Sequence, residues 1–248
     1  MPEISTFLPA ALLASLFVGM SKGGLPMVGM LAVPLLAFYI DPLTAAALLL
    51  PIFLVSDVYG IWLYRRNYSS RNLRILIPAG LMGVFVGYLL VPHLSVAKLN
   101  LVVGLIGVSF CLKMWFFTAR TAEPRPAKVG PGLFWGTITG FTSYVTHAGA
   151  PPYQVYILPQ KLPKLKFAGT TTILFGIVNF AKLPPYLALG QFPEFEFGPT
   201  LALIAAAMFG AWAGSKVTWF LPEKLFFRVV QAALFILCVQ LVWKGLTA

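Results

Sequence analysis

The chain has 248 residues, of which 59% are apolar and only 10% are charged. An average soluble domain carries roughly 25% charged residues, so the composition excludes a soluble globular protein. The net charge of +11 does not indicate a nucleic-acid partner, because the 18 Lys and Arg residues lie mostly in short connections between apolar runs, where they set membrane orientation. The sequence therefore predicts a polytopic membrane protein whose function lies within the bilayer.

The apolar runs, taken in chain order, predict an all-α protein. Six runs are long enough to cross a bilayer, since about 20 apolar residues span its hydrocarbon core. These predicted spans are 42–64, 73–91, 96–117, 167–189, 198–220 and 224–243. Two regions are shorter and are interrupted by Gly and Pro, namely 4–20 with 25–40 and 131–146 with 151–159. We interpret each as a helical hairpin, spanning or re-entrant, because broken backbone within a membrane needs protein or a cavity around it.

The second half of the chain repeats the pattern of the first half. At a shift of 125, the set Gly24, Pro26 and Pro34 aligns with Gly149, Pro151 and Pro159. At a shift of 127, the set Gly83, Gly87 and Cys111 aligns with Gly210, Gly214 and Cys238. We predict a first transmembrane repeat at 1–117, a linker at 118–130 and a second repeat at 131–248. Each repeat contains one broken hairpin and three transmembrane helices.

The charged connections predict that the two repeats are inverted. Four arginines flank the first basic connection, and further basic residues crowd the linker at 118–130, so both segments are predicted to be cytoplasmic. The loop in the second repeat that corresponds to the arginine-rich one carries Glu194 and Glu196, and it falls on the opposite face. Both termini are then extracytoplasmic. Inverted repeats with broken helices are typical of secondary transporters, which bind substrate near the bilayer midplane where the repeats meet.

The two breaks contain the candidate substrate-binding residues. The first break supplies Ser21, Lys22, Gly23 and Gly24 ahead of Pro26, and the second supplies Ser143, Thr146, His147 and Gly149 ahead of Pro151 and Pro152. The shift of 125 aligns Lys22 with His147, so each break places a group that can carry positive charge before a Gly and a Pro. Proline is favoured in the first turn of a helix, and a helix N-terminus offers free amides and a positive dipole end to an anion. The sequence therefore predicts a compact oxyanion site.

Other roles for these residues stay open. Lys22 could extend its ammonium group to the membrane interface, and His147 could be a structural hydrogen-bonding group. The glycines of Gly83-x-x-x-Gly87 and Gly210-x-x-x-Gly214 are predicted to allow close helix packing.

Three polar residues inside predicted helices are candidates for coupling or gating. Asp57 and Lys182 are equivalent at the shift of 125, and Asn179 lies one turn before Lys182. A charge inside a membrane helix is costly, so it usually faces a cavity or a partner. We expect Asp57 to pair with a buried lysine, either as a proton relay during transport or as a purely structural ion pair.

An enzyme is not expected. Ser143 and His147 are four residues apart, but a third group that would complete a nucleophilic site is not identifiable. Two histidines and few acidic residues do not readily form a metal site, so neither a metal nor another cofactor is predicted.

The two Gly/Pro breaks resemble those of the TauE/SafE sulfite exporter family. The segments that carry the resemblance are 19–34, with Lys22-Gly23-Gly24-Leu25-Pro26, and 140–159, with Ser143-x-x-x-His147-x-Gly149-x-Pro151-Pro152. The resemblance covers nearly the whole chain and implies a multi-pass permease of the bacterial inner membrane that exports sulfite or an organosulfonate such as sulfoacetate. The alternatives are an anion channel of the same fold and a transporter of another small organic acid. The expected partners are the small anion, the lipid bilayer and a second copy of the chain, with nucleic acid excluded.

Overall fold

The computed structural model describes residues 4–26, 28–36, 38–40, 42–90, 95–112, 115–116, 123–146, 149–188 and 197–247. These residues are helical almost throughout and contain no strand. The helices are α1 Ile4–Lys22, α2 Ala32–Leu36, α3 Pro42–Tyr64, α4 Ser70–Leu90, α5 Val96–Leu112, α6 Val129–Thr146, α7 Ala150–Ile157, α8 Lys164–Ala188, α9 Phe197–Phe220 and α10 Glu223–Thr247. Two short 3₁₀ turns, Val28–Leu31 and Leu158–Gln160, follow the first break and α7. The prediction of an all-α protein is confirmed for this part of the chain.

Among the residues that the structure describes, four helices are long and apolar enough to cross a membrane. They are α3, α4, α9 and α10, whose apolar parts cover Thr44–Tyr64, Ser70–Leu90, Gly198–Phe220 and Glu223–Thr247. The other two predicted spans correspond to α5 and α8. The described part of α5 has 17 residues, and α8 has 25 residues but is less apolar because it contains lysines, threonines, Asn179 and two prolines. Their crossing of the membrane stays a prediction.

The helices group into two compact units, each of which takes helices from both predicted repeats. Unit 1 comprises Met1–Tyr68 and Lys164–Pro222, and unit 2 comprises Ser69–Pro163 and Glu223–Ala248. The repeat boundaries at 117 and 131 describe a similarity along the chain, whereas the units describe which helices pack together. The repeats and their inverted orientation stay predictions.

In unit 1, α1 packs along α9, and α3 packs along α8. The backbones of α1 and α9 are so close that a Cβ on Gly214 would lie 2.6 Å from the Met20 carbonyl oxygen. A Cβ on Gly23 would lie 2.5 Å from the Ala211 carbonyl oxygen. Alanines and other buried apolar side chains of α1, α2, α3 and α9 form a continuous core beside this contact. The predicted close packing at Gly210-x-x-x-Gly214 is therefore confirmed.

In unit 2, α4 packs along α6, and α5 packs along α10. A Cβ on Gly83 would lie 2.6 Å from the Phe141 amide nitrogen, and one on Gly87 would lie 2.9 Å from Tyr144. The close packing predicted for Gly83-x-x-x-Gly87 is confirmed as well. The shift of 127 aligns α4 with α9, and the shift of 125 aligns α6 with α1. The contact of α4 with α6 in unit 2 is therefore equivalent to the contact of α9 with α1 in unit 1, and both contain closely packed glycines.

Candidate functional site

The first break is the C-terminal end of α1. The Gly24 amide donates to the Ser21 carbonyl and the Leu25 amide donates to the Met20 carbonyl, both at 3.3 Å. Gly24 has a φ of +111°, a conformation that glycine adopts without steric cost. This pair of bonds with a left-handed glycine is the Schellman motif, which satisfies the last carbonyls of a helix. Lys22 therefore occupies the last turn of α1.

This geometry corrects the prediction of a helix N-terminus at the first break. The chain beyond Pro26 forms the 3₁₀ turn Val28–Leu31 and the five-residue α2, so no long helix begins there. The amides of Gly23 and Gly24 already donate to carbonyls of α1. The Ser21 hydroxyl donates to the Val18 carbonyl at 2.6 Å. These residues form the end of α1. The amides of Gly23 and Gly24, which were predicted to be free donors for an anion, are therefore already hydrogen-bonded.

Lys22 is buried inside unit 1 and forms an ion pair. Its side chain is 5% exposed, its Nζ lies 2.7 Å from Asp57 Oδ1, and the same ammonium lies 4.9 Å from the centre of the Phe53 ring. A cation near the C-terminal end of a helix is also stabilised by the negative end of the helix dipole. The side chain thus points into the protein, which disagrees with the alternative in which Lys22 reaches the membrane interface.

A second lysine joins this pair through an amide. Asn179 donates from Nδ2 to Asp57 Oδ2 at 2.8 Å, and Lys182 donates from Nζ to Asn179 Oδ1 at 3.1 Å. All four residues are buried. The structure therefore brings together four of the residues predicted from the sequence, Lys22 from the first break and Asp57, Asn179 and Lys182 from α3 and α8. We call these four residues the lysine network.

One face of α3 builds the surroundings of the lysine network. Phe53, Asp57, Gly60 and Tyr64 follow one another at spacings of four, three and four residues, which places them on one side of a helix. A Cβ on Gly60 would lie 3.0 Å from the Lys22 carbonyl oxygen, so the missing side chain lets α1 approach. The Tyr64 hydroxyl donates to the Gly23 carbonyl at 2.5 Å. The sequence prediction missed Phe53, Gly60 and Tyr64, although their helical spacing around Asp57 was a usable signal.

The facing side of α8 carries a hydroxyl with unused hydrogen-bonding capacity. Thr170 and Thr171 donate to the carbonyls one turn before them, at 2.6 and 2.8 Å. Thr172 is only 2% exposed, and its Oγ1 has no hydrogen-bond partner among the residues that the structure describes. Because Thr172 precedes Asn179 by seven residues, the two lie on the same face of α8.

The second break lies in unit 2. Gly149 is the N-cap of α7, and Pro151 and Pro152 occupy its first turn, so the predicted helix start after the second break is confirmed. Proline has no amide hydrogen, which leaves Gly149 and Ala150 as amide donors at this end. Ser143 is buried at 3% exposure. His147 and the side chain of Thr146 lie outside the described residues, so their predicted roles stay predictions.

Metal ligands do not cluster in the part of the chain that is described, where no group of three or more His, Cys, Asp or Glu residues lies together.

A family model described as "Sulfite exporter TauE/SafE" matches residues 10–241, which is nearly the whole chain. The comparison with curated proteins found no match, and neither did the comparison with solved structures.

Proposed function

The chain belongs to the TauE/SafE sulfite exporter family, and from this premise we propose that it exports a small sulfur oxyanion, sulfite or an organosulfonate, across the bacterial inner membrane. The family is one of membrane transporters, and the four long apolar helices fit that class. We propose alternating access of one substrate site to the two sides of the membrane, with Lys22 as the principal ligand of the anion.

The lysine network is the observation that carries this proposal. It places two lysine side chains and one carboxylate where almost no solvent reaches them. An uncompensated charge in such surroundings is costly, and an added anion would offset it. A protonated lysine has three N–H donors. Asn179 Oδ1 accepts one hydrogen bond from Lys182 Nζ. Further donors on both lysines, and the hydroxyl of Thr172 on the same face of α8 as Asn179, are suited to an oxyanion with several acceptor oxygens.

Asp57 gives the network a role in the transport cycle. The Asp57 carboxylate pairs with the Lys22 ammonium. An arriving anion competes with Asp57 for that ammonium, and Asn179 connects the same carboxylate to Lys182. Binding of substrate on α1 can thus change the contacts between α3 and α8, which is the coupling or gating that we propose for these residues.

Export needs no additional coupling ion on this account. A membrane potential that is negative inside favours the exit of an anion by about 2.3 kcal/mol per charge per 100 mV. Ser143, Thr146, His147 and Gly149 keep their predicted role as substrate ligands, and His147 is the candidate carrier if a proton is also moved, since histidine titrates near neutral pH.

Flux measurements in proteoliposomes test the proposal. We expect saturable efflux of ³⁵S-labelled sulfite, and we expect Lys22→Gln to lower its initial rate by about tenfold or more, because the variant removes the ligand that carries positive charge. The matched control is Lys224→Gln, at an exposed position in the first turn of α10, which should keep the wild-type rate. Efflux that does not saturate would indicate the anion channel instead. Equal rates for wild type and a folded, monodisperse Lys22→Gln protein would contradict the proposed site.

A further inference from the structure

The end of the second hairpin is held by two buried amide side chains. Asn72 lies in the first turn of α4, and Gln160 is the last residue of the 3₁₀ turn that follows α7. The two residues are 1% and 7% exposed. Asn72 donates from Nδ2 to Gln160 Oε1 at 2.9 Å, and Gln160 donates from Nε2 to Asn72 Oδ1 at 3.1 Å. We call these two residues of unit 2 the amide pair.

The amide pair is fully hydrogen-bonded. Asn72 Nδ2 also donates to the Ser69 hydroxyl oxygen at 2.9 Å, and Gln160 Nε2 also donates to the Tyr156 carbonyl at 3.2 Å. The same Ser69 oxygen accepts from the Asn72 backbone amide at 3.4 Å, so it caps the first turn of α4. A buried polar network whose members are all satisfied is rigid and specifies one arrangement. The amide pair therefore fixes the end of the hairpin relative to α4.

The central linker holds the same end of the hairpin. The Arg125 backbone amide donates to the Pro159 carbonyl at 3.0 Å. The Tyr156 hydroxyl donates to the Lys128 carbonyl at 3.2 Å. The end of the hairpin is thus tied to α4 by side chains and to the linker by bonds that involve the linker backbone.

The repeat pattern indicates that the amide pair is not needed for folding alone. The shifts of 127 and 125 align Asn72 with Pro199 and Gln160 with Leu35, and these two residues cannot form an amide pair. Apolar residues of similar shape can replace both members of a buried hydrogen-bonded pair with little change in stability. What the hydrogen bonds add is a fixed distance and a fixed orientation. The amide pair therefore contributes a defined position for the end of the hairpin.

α7 transmits this position to the second break. α7 and its 3₁₀ turn follow one another without a gap over 150–160, nearly all of α7 is buried, and a helix of this length extends about 15 Å. The amide pair holds one end of this segment, and the amides of Gly149 and Ala150 lie at the other end. We propose that Asn72 and Gln160 are positioning residues, which through α7 place the second break for the binding of substrate. The inference rests on the proposed function, in which the second break supplies ligands for the anion.

Two double variants separate positioning from packing. Asn72→Leu with Gln160→Leu replaces both amides by apolar side chains, whereas Asn72→Gln with Gln160→Asn exchanges them and keeps a reciprocal pair. Initial rates of ³⁵S-labelled sulfite efflux from proteoliposomes, measured over a range of internal concentrations, give the half-saturating concentration for each protein. We expect this concentration to rise about fivefold or more in the leucine variant and to stay within about twofold of wild type in the exchanged variant, because only the leucine variant loses the fixed position.

The melting temperature in detergent shows whether the leucine variant is merely destabilised. We expect it to melt near the wild-type temperature, because both partners are replaced together and no amide is left unpaired. The matched control is Gln231→Leu, which removes an amide of α10 in the same unit whose hydrogen bond with Trp115 is exposed. This control should leave the half-saturating concentration and the melting temperature unchanged.

The outcomes separate this inference from the proposed function. A folded leucine variant with the wild-type half-saturating concentration would overturn the inference and leave the proposed function intact. An exchanged variant that is impaired as much as the leucine variant would also overturn it, because the reciprocal pair would then not be what matters. A wild-type protein without saturable efflux would overturn the proposed function and this inference with it. Should the leucine variant not fold, Gln160→Met, which keeps the length of the side chain and removes its hydrogen bonds, is measured in its place with the same expected rise.

Discussion

At the end of α1, one glycine positions the lysine that we propose as the ligand. Gly24 adopts a φ of +111°, and the bonds around it end the helix directly after Lys22. The space beside Gly24 is also filled, because a Cβ there would lie 2.7 Å from the Thr218 hydroxyl oxygen and would overlap the Tyr64 hydroxyl. Both the backbone conformation and the packing therefore require glycine at this position.

Replacing this glycine should destabilise the protein. We expect Gly24→Ala to lower the free energy of unfolding by about 2 kcal/mol, because a Cβ strains a residue with positive φ and crowds Tyr64 and Thr218. The control is Gly198→Ala near the start of α9, where a Cβ would meet nothing within 4 Å. Thermal or denaturant unfolding in detergent measures both variants, and equal stability of Gly24→Ala and wild type would show that the turn tolerates a side chain.

At the level of the helices, α8 and α9 are joined by a lysine that caps the end of its neighbour. Lys164, the first residue of α8, donates from Nζ to the Trp219 carbonyl at 2.8 Å and to the Leu221 carbonyl at 2.5 Å. The last carbonyls of a helix lack partners within it, and a cation there also meets the negative end of the dipole. The ammonium therefore fixes the C-terminal end of α9 to the start of α8.

Removing this cap should loosen the end of α9 without unfolding unit 1. We expect Lys164→Met to speed hydrogen exchange of the amides in the last turn of α9, by a factor corresponding to about 1 to 2 kcal/mol. Hydrogen exchange followed by mass spectrometry measures the change in the peptide that contains Trp219. Lys166→Met is the control, since Lys166 is exposed one half-turn further along α8, and faster exchange in both variants alike would argue against the cap.

The amino-acid sequence predicted some of these elements because their signals are local. The bounds of α3 and α9 match the apolar runs. The start of α7 at Ala150 is indicated by Pro151 and Pro152, which lie in its first turn. The first break was misread because Gly24 and Pro26 fit a helix start as well as a helix end. The signal for an end was present, since Gly24 is followed by the apolar Leu25, the pattern that accompanies a Schellman motif.

The lysine network could be predicted only in part. A charge in an apolar run indicates a buried partner, which points to Asp57 and Lys182, and Asn179 lies one turn before Lys182. Which lysine pairs with the carboxylate depends on α1 crossing α3 at Gly60, and this contact joins residues that are distant in the chain. Phe53 and Tyr64 contribute through that same crossing, so their roles appear only once the helices are packed.

For the whole molecule, the predicted orientation in the membrane defines which face of the protein lies in the cytoplasm, the side from which an exporter takes up its substrate. The basic residues of the central linker predict that it is cytoplasmic, and the odd number of crossings in each repeat places both termini on the other side. The two natural cysteines, Cys111 and Cys238, are buried. An introduced cysteine at an exposed position can therefore report its side of the membrane against a low background.

Labelling with a membrane-impermeant maleimide checks this orientation. We expect Glu123→Cys, in the linker, to react in inverted membrane vesicles and not in intact spheroplasts. Thr247→Cys, at the end of α10, should react in spheroplasts and not in inverted vesicles. The unsubstituted protein is the control for the buried cysteines. Reaction of both introduced cysteines from the same side would contradict the odd number of crossings in the second repeat.

Each of the two units contains helices from the first and from the second half of the chain, so neither unit is complete until the second half has been synthesised. α1 finds its main partner in α9, and α5 finds its main partner in α10, so the first half of the chain completes neither unit by itself. Chains are made from the N-terminus at roughly 5–20 residues per second. The glycine face of α1 is therefore made well before Gly210 and Gly214, by about ten seconds at the fastest of these rates and by more at the slower ones. During this interval the small-residue face of α1 has not yet met the helix that it packs against in the folded protein.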